Sequence, residues 1–92
     1  MILNNEVTKI REKYGDGIIL FHTIGFNYEC VAKDARTVSQ ECGYPIERDG
    51  LTNYCMVRPS KMDTTVSFLL AKGHKIAVLD RNDKASIFLP TT

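Results

Sequence analysis

The spacing of apolar residues along this chain switches repeatedly between helical and extended periods, and each switch marks an element boundary. Val7, Ile10 and Tyr14 fall on one helical face, with Asn5 as N-cap and Gly15 as stop. Ile18, Ile19, Leu20 and Phe21 follow as an unbroken apolar run, the signature of a strand buried on both faces, over about Gly17–Thr23. Gly25 turns the chain without a Cβ penalty into a short second strand at Asn27–Cys30. From Val31 the period is helical again: Ala32, Ala35, Val38 and Cys42 recur on one face, and Gly43 sits at the C′ position.

Tyr44-Pro45-Ile46 opens a third extended piece toward Arg48, Asp49-Gly50 is a turn signal, and Thr52–Val57 is extended. A helix begins at Pro59-Ser60, with Ser60 and Asp63 resembling a capping box and Met62, Val66, Leu69 and Leu70 forming its stripe. Gly73 ends it. Ile76–Leu79 is a second fully apolar strand, and Asn82-Asp83 turns a hairpin into Ala85–Leu89. The order α-β-β-α-β-β-α-β-β implies an α/β (α+β) fold. Its mixed central sheet has about five or six strands, with three helices packed against it. No repeat, low-complexity tract or long linker divides the chain, so residues 1–92 read as a single domain.

Composition narrows the function classes. With 43% hydrophobic and 25% charged residues, the chain falls in the globular rather than the disordered class. Three cysteines (Cys30, Cys42, Cys55) are an odd number without short spacings, which disfavours a disulfide framework or a zinc site. Reduced thiols, with no apolar stretch suited to a signal peptide or a membrane span, imply a cytoplasmic location. The net charge of +1, from 12 basic and 11 acidic residues, excludes a protein that holds nucleic acid by bulk charge alone. The distribution is less even: Arg58–Lys75 holds Arg58, Lys61, Lys72 and Lys75 against Asp63.

The candidate chemistry concentrates in Gly25–Glu29, where Phe26, Asn27, Tyr28 and Glu29 set two rings, an amide and a carboxylate on the arm leaving a turn. These residues are either strand-end packing or a contact surface. Arg58 and Lys61 flank a helix start, where a phosphate also finds backbone N–H groups. His22 lies in an apolar strand and reads as a core histidine; His74 suits a helix C-terminus. Asp16, Glu29 and Asp34 are too scattered for a metal-dependent nuclease, and His22 with Cys30 makes a weak nucleophile–base pair. No catalytic, cofactor-binding or metal-binding constellation emerges, and no small-molecule substrate is expected.

The LF-x-x-x-G-x-x-YE block (Leu20, Phe21, Gly25, Tyr28, Glu29), the helix with Lys33-Asp34-Ala35, the junction of Gly73 with Lys75–Leu79 and the closing Ala85–Pro90 resemble the N-terminal domain of the MutS mismatch-repair family. That family's first block reads approximately LLF-x-x-x-G-D-F-Y-E. The resemblance spans nearly the whole chain and implies a non-catalytic module that contacts mismatched or distorted double-stranded DNA. In the family a phenylalanine wedges beside the mismatched base and a glutamate two residues later hydrogen-bonds it. By that resemblance the wedge position here is Asn27 and the acid is Glu29. The resemblance also implies Phe26 and Tyr28 as DNA-contact candidates; Phe26 stands one place early, which in an extended segment sends it to the opposite face, toward turn or core packing, unless a bulge or a shifted turn brings it to the working side.

The family's GVPYHA-like turn is altered to Met56-Val57-Arg58-Pro59-Ser60-Lys61. No G-x-x-x-x-G-K-S/T motif occurs, so no ATP site of that type is expected and the chain reads as a module of a larger apparatus. The competing reading is a protein-interaction or regulatory module that keeps the fold and uses Phe26 and Tyr28 as anchors.

Overall fold

A computed structural model describes residues 5–91. The elements are α1 (Asn5–Tyr14), β1 (Ile19–Ile24), β2 (Asn27–Val31), α2 (Ala32–Cys42), β3 (Glu47–Asp49), β4 (Thr52–Val57), α3 (Pro59–Ala71), β5 (Ile76–Leu79) and β6 (Ala85–Phe88). The order expected from periodicity is observed, with shifted ends. β1 begins at Ile19 rather than Gly17 and runs on to Ile24. Asn5 lies within α1, and the position before it is outside the described residues. Ser60 is not a cap: Arg58 takes the N-cap place with extended backbone, and Pro59 opens α3. Proline's fixed φ and missing N–H suit that first position, which moves the start ahead of Ser60. Gly43 closes α2 as expected, with φ 76° and its N–H donating to the Ser39 carbonyl at 2.8 Å.

The strands form one sheet in the order β3-β4-β2-β1-β5-β6. β1 pairs antiparallel with β2 and parallel with β5, and β2 pairs antiparallel with β4. β1, β4 and β5 therefore run the same way, and their C-terminal ends share one end of the sheet. The two helical crossovers, α2 and α3, cover one face. α1 covers part of the other.

The unbroken apolar run of β1 follows from this sandwich. Ile19 and Phe21 join the cluster under α2 and α3 with Val38, Val57, Leu69 and Ile76. Ile18 and Leu20 join Ile10, Ala77 and Leu79 under α1. Each large side chain so buried contributes about 1.5–3 kcal/mol, so β1 is the thermodynamic spine of the domain. A part-buried ion pair ties the layers: Arg11 Nη2 donates to Asp34 Oδ2 at 2.8 Å, and the same oxygen accepts the Leu20 N–H at 3.2 Å.

Cys30 and Cys55 face each other across β2 and β4, both fully buried. Burial, with smaller effects from Cys55 and Asp34, pushes the Cys30 thiol up to about 12, so it is an unreactive core group. No helix among the described residues is long and apolar enough to cross a membrane.

Candidate nucleic-acid interface

The hairpin that carries the candidate residues is tight. Ile24 pairs with Asn27, leaving Gly25 and Phe26 alone as the connection. Gly25 has φ 60°, the positive φ that a two-residue turn of the II′ kind requires at its first central position. Phe26 then sits at the apex and is 85% exposed. This corrects the expectation of packing. Alternation applies to residues in the pleat, and the turn lifts Phe26 out of the pleat altogether.

Two other segments reach the same end of the sheet, because they leave the C-terminal ends of β4 and β5. Continuing the β2–β4 register one step beyond Tyr28 and Val57 sets Arg58 across from Asn27. Arg58 and Lys61 are both exposed there, at the start of α3. The β5–β6 turn is braced by its own hydrogen bonds. Asp80 Oδ1 accepts the N–H groups of Asn82 (2.8 Å) and Lys84 (3.0 Å), and the Asp80 N–H donates to the Lys84 carbonyl at 2.9 Å. This turn carries Arg81 to the hairpin. Its Nη2 donates to the Gly25 carbonyl at 2.6 Å, and its guanidinium carbon lies 6.0 Å from the Phe26 ring centroid. Sequence reasoning missed Arg81; the only signal was a basic residue beside the Asn82-Asp83 turn.

The strands sort the remaining candidates by face. Asn27 and Glu29 share the face partly covered by α1, whereas Tyr28 points the other way, half-buried against the α3 cluster. Tyr28 there lines a groove of about 410 Å³ with Met62, Val66, Leu70, Val78 and Phe88. Glu29 lies opposite His22 on one side and Met56 on the other. Beyond the reach of α1 this face is open: Val31 and Met56 are 42% and 40% exposed. It is also acidic. The Tyr54 hydroxyl is pushed up by the Glu47 carboxylate first, then by partial desolvation, Glu29 and Asp49.

The structure thus brings Phe26, Asn27, Arg58 and Lys61 to one end of the sheet, sets Glu29 a short way down one face, and turns Tyr28 to the other. Elsewhere, His74 Nε2 lies 3.4 Å from Glu41 at the end of α3. Asp34 is committed to Arg11 and the β1 backbone. Among the described residues no cluster of His, Cys, Asp and Glu is placed to hold a metal ion.

A family model described as MutS domain I matches residues 3–88 of this chain. The chain belongs to the MutS domain I family. Among the described residues, three helices and a mixed six-stranded sheet suit that family's fold. Over 84 residues the chain is 29% identical to the DNA mismatch repair protein MutS of Thermotoga neapolitana, a match covering 91% of this chain and 10% of that protein. This MutS domain I therefore corresponds to about a tenth of the length of that relative. Asn27 in the hairpin and Arg58–Lys61 at the start of α3 both lie at the end of the sheet where the exposed groups gather.

Proposed function

We propose that this MutS domain I is a non-catalytic DNA-binding module that engages mismatched or distorted duplex through the β1–β2 turn. The observation that carries the reading is an aromatic ring 85% exposed at a braced apex, with cations on the turns beside it. An inserted ring kinks the duplex, and this costs least where pairing is already faulty. Asn27 replaces a wedging ring with an amide, which gains less by stacking but donates to and accepts from base edges. Glu29, on the same face, is the acceptor for a displaced base. Arg58 and Lys61 meet the backbone. The reading suits a cytoplasmic compartment, where the three thiols stay reduced.

With a net charge of +1, few phosphates are neutralised and binding is modest and salt-sensitive. Fluorescence anisotropy with a labelled duplex containing one mismatch or unpaired base, against its paired control, tests the reading. Tighter binding to the faulty duplex, weakened between about 50 and 200 mM salt, is expected. Equal affinity for both leaves generic DNA binding, and no binding at low salt removes the reading.

A second reading, a protein-interaction module, is favoured by one feature: the apolar groove of about 410 Å³ between α3 and the edge strand β6. A stoichiometric, nuclease-resistant partner lost on Tyr28→Ala supports it. Monomeric behaviour in lysate counts against it.

A further inference from the structure

We infer that Arg81, from the separate β5–β6 turn, is the positioning residue of the reading tip: it holds the base of the turn that bears the Phe26 ring and grips the adjoining phosphate. The inference rests on the DNA-binding reading and adds to it the residue that holds the ring in place. A ring on a two-residue turn samples several orientations unless something holds its base. Here the Gly25 carbonyl, immediately before Phe26, receives the Arg81 guanidinium at 2.6 Å. The turn that delivers Arg81 is itself locked by Asp80, through bonds of 2.8–3.0 Å to the Asn82 and Lys84 N–H groups. The tip is thereby organised before any ligand arrives, which lowers the ordering cost of binding.

Arg81 retains capacity for a second partner. A guanidinium has five N–H donors, and the Gly25 carbonyl takes one on an otherwise exposed residue. The cation lies 6.0 Å from the Phe26 centroid. A cation this close to the ring shares its place at the hairpin tip. Ring and cation therefore meet one nucleotide step together: a base face on Phe26, a phosphate on Arg81. Lysine cannot copy this, since it lacks the planar fork that serves a carbonyl and a phosphate at once.

The test uses the intact chain, a duplex with one unpaired base and its paired control, each also made with 2-aminopurine beside the site. The native chain is expected to prefer the bulged duplex by about tenfold, within what one base–aromatic stack contributes, and to raise the 2-aminopurine emission. Phe26→Ala brings the preference to near unity and abolishes the emission rise. Arg81→Gln cuts the preference and makes the salt slope shallower by about one. Arg81→Lys recovers the slope but not the preference, and Lys84→Gln, the same charge loss on the same turn, leaves the preference intact.

If Phe26→Ala or Arg81→Gln discriminates like the native chain, this role of the tip is overturned while the DNA-binding reading stands. Full rescue by Arg81→Lys overturns the positioning role, since bare charge then suffices. Failure of the native chain to bind any duplex at low salt overturns both.

Discussion

At one end of the sheet the molecule gathers Phe26, Arg58, Lys61 and Arg81, whereas along β3 and β4 the open face carries Glu47 and Asp49 beside Tyr54. Both regions are solvent-facing and both border the hairpin strand β2, yet the first holds more cations than acids, even counting Asp80 and Asp83 of the β5–β6 turn, and the second is acidic. A net charge of +1 hides this segregation, because balanced totals say nothing about where the charges lie. In the proposed reading the end of the sheet attracts a phosphate backbone and the acidic face repels it. The duplex is then met end-on by the turns rather than laid along the sheet.

The largest effect is expected from inverting the cationic end. Arg58→Glu combined with Arg81→Glu should weaken binding to the bulged duplex by about a hundredfold at low salt, since two phosphate contacts become repulsions. Thermal unfolding should move little, because both side chains are exposed. A loss equal to that of a single reversal would mean that only one of these arginines meets DNA.

Inverting the other region should have a smaller effect of opposite sign. Glu47→Lys with Asp49→Lys should strengthen binding to paired and bulged duplexes alike, by about three- to tenfold, and so erode discrimination measured by anisotropy. Strengthened binding to the bulged duplex alone would instead make this face part of the reading surface.

The smallest effect at neutral pH concerns the strand shared by both regions. Cys30 lies on the buried side of β2, and its folded value of about 12 stands above the ordinary 9.0. An unfolded chain therefore loses this proton first as pH rises. The stability that the protonated thiol contributes is complete below about pH 9 and drains as pH climbs through about 12. Urea midpoints measured across that window should fall, and the fall should be shallower in Cys30→Ala, whatever that variant costs at neutral pH.

Much of the scaffold was legible because it depends on local periodicity. The run Ile18–Phe21 announced a strand covered on both sides, and Gly43 announced the left-handed close of α2. Alternation along β2 sets Asn27 and Glu29 on one face and Tyr28 on the other, although all three were candidates for one surface. The apex was harder. Whether Phe26 belongs to the pleat depends on loop length, and the two-residue connection became evident only from the Ile24–Asn27 pairing.

Arg81 and the Arg11–Asp34 pair were illegible for another reason. Each links residues distant in sequence, 56 and 23 positions apart, through backbone and side-chain hydrogen bonds that no local pattern encodes. Ser60 misled because a proline at the first helical position displaced the cap to Arg58.

The claim that the end of the sheet, and not its open face, is the working surface is tested most directly by titrating the ¹⁵N-labelled chain with the bulged duplex and following amide shifts. The account predicts perturbations concentrated at residues 24–29, 58–61 and 80–84, with those of 47–54 nearly unmoved. Shifts centred on β3 and β4, or on the groove between α3 and β6, would contradict it.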